Sequence, residues 1–312
     1  MPTPRRLLVI LNPRADRGRA AQRVADLQRG LGAAGRIEVR PTEGRQHAVR
    51  LAEEAARTGV DAVIAVGGDG TVHEVANGLL RLPEPQRPAL GVLPAGSGND
   101  FAFAVGLPES LAAGIEIIRS GHVRRVDAAR LVAAPDRVRY WVNNVGMLLD
   151  GEINRLSHRL TWPRGAGLYC RAALQKLLRP PRRVRLQLDL DGRTLDQEAI
   201  VFSLGNGRRS GGMFHLTPDA RLDDGRLDYV LLEPASRWRL LRLMTAALRG
   251  NLVEGPDIRR GQFASLAIRA EHPLTIHVDG EAWIHDEDRV TACQVEVLPA
   301  ALRVLAPPPA AG

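Results

Sequence analysis

Apolar residues in the first part of the chain alternate between short continuous runs and helical spacings. Val63–Val66 is a short apolar, β-branched run, which is typical of a buried strand. Val72, Val75 and Leu79 then follow at the spacing of one helical face. The same succession predicts strands at Leu7–Leu11, Ile37–Val39, Val63–Val66 and Ala89–Leu93, and helices around Val24–Leu31, His47–Arg57, Thr71–Leu80 and Leu111–Arg119. Strands that alternate with helices predict an α/β domain built on a parallel sheet.

From about His122 the pattern changes to short alternating segments separated by frequent turns. Such segments are typical of antiparallel β structure. We therefore predict a nucleotide-binding α/β domain at 1–125, a β-rich antiparallel sandwich at 126–306 that binds the substrate, and a frayed tail at 307–312. In an alternative assignment, the last strand returns to the first domain. Within the second domain we predict strands at Val184–Leu190 and Glu198–Leu204 and helical segments at Arg155–Leu178 and Arg237–Leu248.

The turn Gly67–Gly70 separates the third predicted strand from its helix. Glycines let a ligand approach the backbone and permit positive φ angles. A helix N-terminus offers unpaired N–H groups to an anion. Thr71 followed by Glu74 forms a capping-box pattern, so we predict that the helix begins at Thr71. Together these features predict a turn that binds phosphate.

This turn matches neither of the common phosphate loops. His73 stands where a dinucleotide fingerprint needs its third glycine, and Lys176, the only lysine in the chain, follows no glycine loop. Asp69 would repel a polyphosphate unless a divalent cation lay between them. A second small-residue turn, Gly96–Asp100, follows the next strand, and the carboxyl ends of parallel strands share one edge. Two turns that each carry an acid therefore predict one shared ligand with a cation.

Gly67–Thr71 with Glu74 resembles the GGDGT motif of the diacylglycerol kinase catalytic-domain family, which includes bacterial soluble lipid kinases and sphingosine kinases. NAD kinases and, more loosely, phosphofructokinases share this motif. Pro94–Ala102 resembles a second motif of the family, with Ser97 in place of threonine. The resemblance implies an NAD-kinase-like fold, ATP as phosphoryl donor, and Mg²⁺ organised by Asp69 and Asp100. The nucleotide contacts that it implies are Asn12, Pro13, Thr42, Gly67, Gly68, Asp69, Gly70, Thr71, Glu74, Gly96, Ser97 and Asn99.

Two features of the first domain leave these contacts open. The family's first turn is usually N-P-x-S-G, whereas this chain keeps Asn12 and Pro13 but has Ala15 and Asp16 in place of Ser-Gly. Thr42 matches a family threonine near the nucleotide, but a turn or cap residue is an equal alternative.

Two motifs of the second domain also resemble the family. Ser210–Asp228 follows its G-G-M…L-D-D-G-x-L-D pattern, which implies a structural Mg²⁺ held by Asp224 with the backbone carbonyls of Arg221 and Arg226. The triplet Asp279-Gly-Glu resembles the family's D-G-E, which implies Glu281 as the general base. Plain hairpin turns are the alternative for both sites.

The net charge of +8 is concentrated in one segment. Arg155–Arg185 holds nine cations and no acid, and its arginines are mixed with Trp and Leu. This composition is typical of a helix that lies on anionic lipid, and a solvated basic face is the alternative. The segment lacks the aromatic pattern of a nucleic-acid groove.

Two cysteines suit a reducing compartment. We therefore predict a cytoplasmic protein, peripheral to the inner membrane face, with no nucleic-acid partner; a homodimer stays open.

These features predict an ATP-dependent kinase that transfers the γ-phosphoryl group to a lipid hydroxyl, such as that of diacylglycerol, in a cleft between the domains. One alternative is a soluble-metabolite kinase of the NAD-kinase type. The other is a lipid- or nucleotide-binding descendant without catalytic activity.

Overall fold

The computed structural model describes residues 5–15, 18, 20, 22, 24–134, 136–162 and 166–308. Asp16 and most of the predicted frayed tail lie outside the described residues. The chain divides into two compact units, residues 1–127 with 300–312, and residues 128–299. Each unit is described by itself.

The first unit is built on a parallel sheet. Its strands are β1 (Arg5–Leu11), β2 (Gly35–Pro41), β3 (Ala62–Gly67) and β4 (Ala89–Pro94), and its helices are α1 (Val24–Gly32), α2 (His47–Arg57), α3 (Asp69–Leu80), α4 (Asp100–Ala104) and α5 (Leu111–Ser120). The strand order is β2-β1-β3-β4. Every residue of β3 is buried, as expected for a central strand with both faces covered. Ile64 of β3 and Leu93 of β4 pack in one core with Leu27 of α1 and Ile118 of α5.

The second unit contains two antiparallel sheets. Its chain runs through β5 (Val123–Ala134), β6 (Arg137–Trp141), β7 (Asn144–Leu148), α6 (Leu149–Ser157), α7 (Ala166–Leu177), β8 (Val184–Leu190), β9 (Arg193–Ala199), β10 (Val201–Gly205), β11 (Leu227–Leu232), α8 (Arg237–Leu248), β12 (Ile258–Phe263), β13 (Ser265–Ala270), β14 (Ile276–Val278), β15 (Glu281–Ile284) and β16 (Ala292–Leu305). β5 begins in the first unit, and β16 ends there with Val304 paired to Leu90.

One of these sheets has the order β12-β11-β10-β7-β14-β15, and in the other β16, β13, β8 and β9 follow one another. Buried and exposed residues alternate strictly along β8. Leu186 of β8 and Phe202 of β10 belong to one buried core, which the two sheets share. The predicted fold class, a parallel α/β domain followed by an antiparallel β domain, is confirmed. None of the described helices is long and apolar enough to cross a membrane.

Candidate active site

The two glycine turns of the first unit lie against each other. The N–H of Ala95 donates to the carbonyl of Gly67 over 2.8 Å, which ties the end of β4 to the end of β3. A Cβ atom added to Gly96 would lie 2.5 Å from the Cα of Gly68, and one added to Gly68 would lie 3.1 Å from the Cα of Gly96. A side chain at Gly96 would therefore push the two backbones apart.

The glycines of these turns allow neighbouring groups to approach the backbone closely. They are not needed for an unusual backbone angle. None of Gly67, Gly68, Gly96 and Gly98 has a positive φ. A Cβ on Gly67 would lie 2.3 Å from Oγ1 of Thr71, and one on Gly98 would lie 2.6 Å from Oδ2 of Asp69. The turns therefore do not use the positive φ that glycine permits, and what they provide is bare backbone beside the ligand position.

Asp69 and Asp100 form an acid pair beside this contact. The Oδ1 atom of Asp69 accepts a hydrogen bond of 2.7 Å from the backbone N–H of Asp100, whose own side chain is buried. Burial, and then the nearby charge of Asp100, raise the pKa of Asp69 to about 7, although backbone N–H groups oppose the shift. Two adjacent carboxylates whose charges repel each other are a suitable oxygen donor set for Mg²⁺.

The first turn of α3 differs from its prediction. The helix begins at Asp69 with Gly68 as its N-cap, and no side chain caps it. The predicted capping box of Thr71 and Glu74 is therefore wrong. The Glu74 carboxylate instead accepts hydrogen bonds from the backbone N–H groups of Gln46, at 2.9 Å, and Ala48, at 3.2 Å. Glu74 thus supports the start of α2, which has no cap from its own N-cap residue.

Three more of the predicted contact residues follow the strands of this sheet: Asn12 and Pro13 come after β1, and Thr42 comes after β2. The backbone N–H of Asn12 donates to the carbonyl of Val66 over 3.0 Å, and its side-chain amide donates to Oγ1 of Thr71 over 3.3 Å. Pro13 follows in the turn, which closes with the N–H of Ala15 on the carbonyl of Asn12. Thr42 is fixed by its N–H, which donates to the carbonyl of Leu11. Asn12 and Thr71 are therefore joined directly.

Asn99 closes the second turn on itself. Its Oδ1 accepts from the N–H of Gly96 and its Nδ2 donates to the Gly96 carbonyl, both over 3.0 Å. Asn99 has a left-handed φ of 53° and occupies the N-cap position of α4, but its side chain makes no capping hydrogen bond to that helix. Ser97 is exposed on this turn. The asparagine therefore shapes the loop and leaves Ser97 accessible.

In the second unit, Glu281 begins β15 directly after a tight turn. Asp279 and Gly280 have positive φ values of 48° and 83°. The buried Asp279 carboxylate accepts from three successive N–H groups, those of Val142, Asn143 and Asn144, at 2.9–3.1 Å. This turn is therefore anchored at its base and presents Glu281, which is half-buried, at a fixed position.

Asp224 lies close to a second acid, Asp228. The side-chain amide of Gln262 donates to both carboxylates, over 3.4 Å to Asp224 and 3.2 Å to Asp228. Burial, and further the charge of Asp224, raise the pKa of Asp228 to about 6. Such a pair suits a cation, although among the described residues no group of three metal-binding side chains occurs. Asp224 also accepts from the N–H of Arg226 over 3.0 Å. An ion here would need the backbone carbonyls of Arg221 and Arg226, as the resemblance implies.

A buried polar cluster around Asp150 was missed from the sequence. Its carboxylate accepts from the hydroxyls of Tyr169 and, over 2.6 Å, Ser203, and it lies 3.6 Å from Nε2 of His277. Burial alone would raise the pKa of Asp150, but attraction to His277 and these hydrogen bonds hold it below its ordinary value. The available signal was a single acid that ends the apolar run from Val145.

Asp150 and Tyr169 line one part of an apolar cavity with about 640 Å³ of empty space, in part open to solvent. The remaining wall comes mainly from α7, α8 and the strands beneath them. It includes Ile153, Ala173, Leu177, Val201, Phe214, Leu216, Leu240, Leu243, Met244, Ala247 and Leu252. An apolar pocket with a few polar groups is suited to an amphiphilic molecule.

A parallel α/β unit with joined glycine turns, followed by an antiparallel β unit, is the architecture of diacylglycerol kinase-like enzymes. Residues 6–131 match the family model of the diacylglycerol kinase catalytic domain, and residues 143–306 match that of the YegS C-terminal NAD kinase beta sandwich-like domain. The chain therefore belongs to the diacylglycerol kinase catalytic-domain family, and the resemblance of its motifs is confirmed. Membership of this kinase family implies ATP as the phosphoryl donor.

Individual relatives support the same assignment. The chain is 33% identical over 276 residues to a protein of Enterobacter sp. (strain 638) named probable lipid kinase YegS-like, with 87% of each chain covered. It is 30% identical over 282 residues to the diacylglycerol kinase of Staphylococcus aureus (strain MRSA252), with 89% of this chain and 86% of the relative covered. A crystal structure of a diacylglycerol kinase from Bacillus anthracis str. Sterne has the same fold, with a TM-score of 0.76 at 24% identity over 99% of this chain and 98% of the other.

Proposed function

We propose that the protein transfers the γ-phosphoryl group of ATP to the hydroxyl group of a lipid, with diacylglycerol as the leading candidate. The observation that carries the proposal is the contact between Gly68 and Gly96 beside the acid pair of Asp69 and Asp100. This arrangement offers bare backbone to a polyphosphate and, at the same place, oxygen ligands to a cation.

The roles of the first unit follow from that geometry. Backbone N–H groups of the two turns and the N-terminus of α3 would hold phosphate oxygens, with the positive end of the helix dipole favouring their charge. Asp69 and Asp100 would hold Mg²⁺, whose charge offsets that of the phosphates and of the developing transition state. Asn12 fixes Thr71 through its side-chain amide and so keeps the first turn of α3 in position.

The second unit supports a lipid as the acceptor. Its cavity is lined almost wholly by Leu, Ile, Val, Met, Phe and Ala, and it carries Asp150 and Tyr169 as polar groups. An acyl chain would gain about 25 cal/mol for each Å² of apolar surface that it buries there. A strongly charged, soluble metabolite such as NAD would leave this wall unused. The cavity thus favours a lipid over the NAD-kinase alternative.

Glu281 would accept the proton of the attacking hydroxyl. A carboxylate can do so within hydrogen-bond reach, and the anchored turn at Asp279 limits its motion. The bond that forms joins the lipid oxygen to the γ-phosphorus, and the bond that breaks releases ADP.

The proposal is tested by following labelled γ-phosphate with Mg²⁺ and ATP. Diacylglycerol and a crude lipid extract in mixed micelles would be compared with NAD. We expect labelled phospholipid and no labelled NADP. Phosphorylation of NAD alone would overturn the lipid assignment, and the absence of turnover with every acceptor would favour a binding protein without catalytic activity.

A further inference from the structure

The outer surfaces of α7 and α8 form an exposed apolar groove. Leu174 and Leu178 from α7 and its end, together with Trp238 and Leu241 of α8, line this groove, which holds about 1300 Å³ of empty space in part open to solvent. The side chains of Trp238 and Leu178 are 77% and 72% exposed. Large apolar side chains that cluster at such exposure indicate an interaction surface and are uncommon elsewhere. We refer to these four residues as the α7–α8 face.

Positive charge is concentrated in the two stretches of chain that carry the α7–α8 face, and Arg171 and Arg237 line the groove itself. Residues 166–185 contain six cations and residues 234–253 contain four, and neither stretch contains an acid. Lys176, Arg185 and Arg239 pair with acids from elsewhere in the chain. The other seven form no ion pair with any residue that the structure describes; they are Arg171, Arg179, Arg182, Arg183, Arg237, Arg242 and Arg249.

Arg171 also connects a second exposed tryptophan to this surface. Its guanidinium lies 6.0 Å from the ring centre of Trp162 and donates to the Trp162 carbonyl. The Trp162 ring is 71% exposed. Trp, Leu and Arg together are the composition of protein surfaces that rest at the boundary between lipid headgroups and acyl chains.

The same two helices line the apolar cavity with their inner surfaces. Ala173 of α7 and Leu240 and Leu243 of α8 face the cavity, and Leu177 lines both the cavity and the outer groove. Leu177 would therefore form part of the wall between the cavity and a bilayer resting on the α7–α8 face. This continuity favours a lipid surface over an acidic protein as the occupant.

We propose that the α7–α8 face docks the protein on a bilayer that contains anionic lipid. Trp238 and Leu178 enter the interface, and the surrounding arginines face the headgroups. This surface differs from the basic segment predicted from the sequence because half of it comes from α8. Its use in catalysis rests on the proposed function, whereas binding to the bilayer requires no phosphoryl transfer.

The proposal is tested by co-sedimentation with vesicles of phosphatidylcholine, with and without phosphatidylglycerol, in the absence of nucleotide. Wild-type protein is expected to bind the anionic vesicles and not the neutral ones. The double variant Arg179→Glu/Arg183→Glu should bind at least tenfold more weakly, because each basic residue near an anionic surface contributes severalfold in affinity. Trp238→Ala should weaken binding about fivefold. The matched control Arg193→Glu/Arg269→Glu reverses two exposed charges elsewhere in the second unit and should bind as wild type does.

Wild-type protein that fails to bind anionic vesicles would overturn the proposal, as would equal binding by the Arg179/Arg183 double variant. Retention on heparin without vesicle binding would also overturn it, since it would assign the charge to a soluble polyanion. Activity distinguishes this proposal from the proposed function. Variants of the face should keep wild-type turnover of a dispersed short-chain diacylglycerol and lose it on vesicles. Vesicle binding by a protein that phosphorylates no lipid would leave the docking surface standing and reject the kinase.

Discussion

Asp69 and Asp100 are held together by a hydrogen bond in which the backbone N–H of Asp100 donates to Oδ1 of Asp69 over 2.7 Å. Burial, reinforced by the charge of Asp100, raises the pKa of Asp69 from 3.8 to about 7. The folded protein therefore retains a proton on Asp69 that the unfolded chain releases near pH 4. A site with this property is destabilised by its own charge until a cation binds.

This relationship predicts how stability changes with pH. The pKa of Asp69 in the folded protein lies above its value in the unfolded chain. The contribution of Asp69 to the free energy of unfolding is therefore fully present below about pH 4 and is lost as pH rises through about 7. Without metal, the free energy of unfolding of wild type should fall across this window more steeply than that of Asp69→Asn, which keeps the Oδ1 acceptor. Urea unfolding at several pH values measures the difference. Equal slopes would contradict the assignment, and Mg²⁺ should stabilise wild type at pH 8 more than the variant.

Glu74 should matter for stability and little for nucleotide affinity. Glu74→Ala removes the acceptor for the N–H groups of Gln46 and Ala48, and we expect a loss of about 1–2 kcal/mol in the free energy of unfolding. Glu53→Ala is the control, since it removes an ion pair with Arg81 that is largely exposed and is expected to change stability by less than about 1 kcal/mol. Urea unfolding and ATP titration would be run on both. Weaker ATP binding at unchanged stability would instead place Glu74 against the nucleotide.

Glu281→Gln should remove proton transfer and preserve structure. The replacement has the same shape, and the Asp279 carboxylate anchors the turn. Turnover with a lipid acceptor is expected to fall by about 10²–10⁴, with the affinity for ATP unchanged. Glu287→Gln, which affects an exposed acid paired with Arg155, serves as the control. Full turnover by Glu281→Gln would refute its assignment as the base.

Filling the apolar cavity should discriminate between lipid acceptors by chain length. Ala173 is buried and lines the cavity, so Ala173→Leu reduces the space left for an acyl chain. We expect a severalfold rise in KM for long-chain diacylglycerol and little change for a short-chain one. The same substitution at the exposed Ala112 of α5 is the control. An equal change in KM for the long-chain and the short-chain diacylglycerol would show that the cavity holds no acyl chain.

The sequence predicted those helices whose own residues carry the full apolar periodicity of a buried face. The predicted bounds of α2, His47–Arg57, and of α8, Arg237–Leu248, are those of the structure. The glycine turns were also recognised, because side-chain-free backbone at two strand ends is visible in the sequence. Their direct contact is a property of the sheet, which places β3 beside β4.

The errors arose where the deciding partner is distant in the chain. Thr71 and Glu74 fit a capping box, but Glu74 instead binds the N–H of Gln46, which lies 28 residues earlier. The single strand predicted at Glu198–Leu204 is two strands in different sheets, because the chain crosses between sheets at Ile200. The cavity could not be predicted, since its wall is assembled from residues of several elements that share no spacing.

We infer that the closely packed backbones of Gly68 and Gly96 form the nucleotide site. Calorimetric titration of Mg²⁺ and a non-hydrolysable ATP analogue into Gly96→Ala tests it most directly, with Gly32→Ala as the control, because a Cβ on Gly32 meets no atom within 4 Å. Circular dichroism would verify that both variants are folded. We predict at least a tenfold loss of affinity for Gly96→Ala, or about 1.4 kcal/mol, and wild-type affinity for Gly32→Ala. A folded Gly96→Ala variant that binds the analogue as tightly as wild type would show that the nucleotide does not bind at this contact.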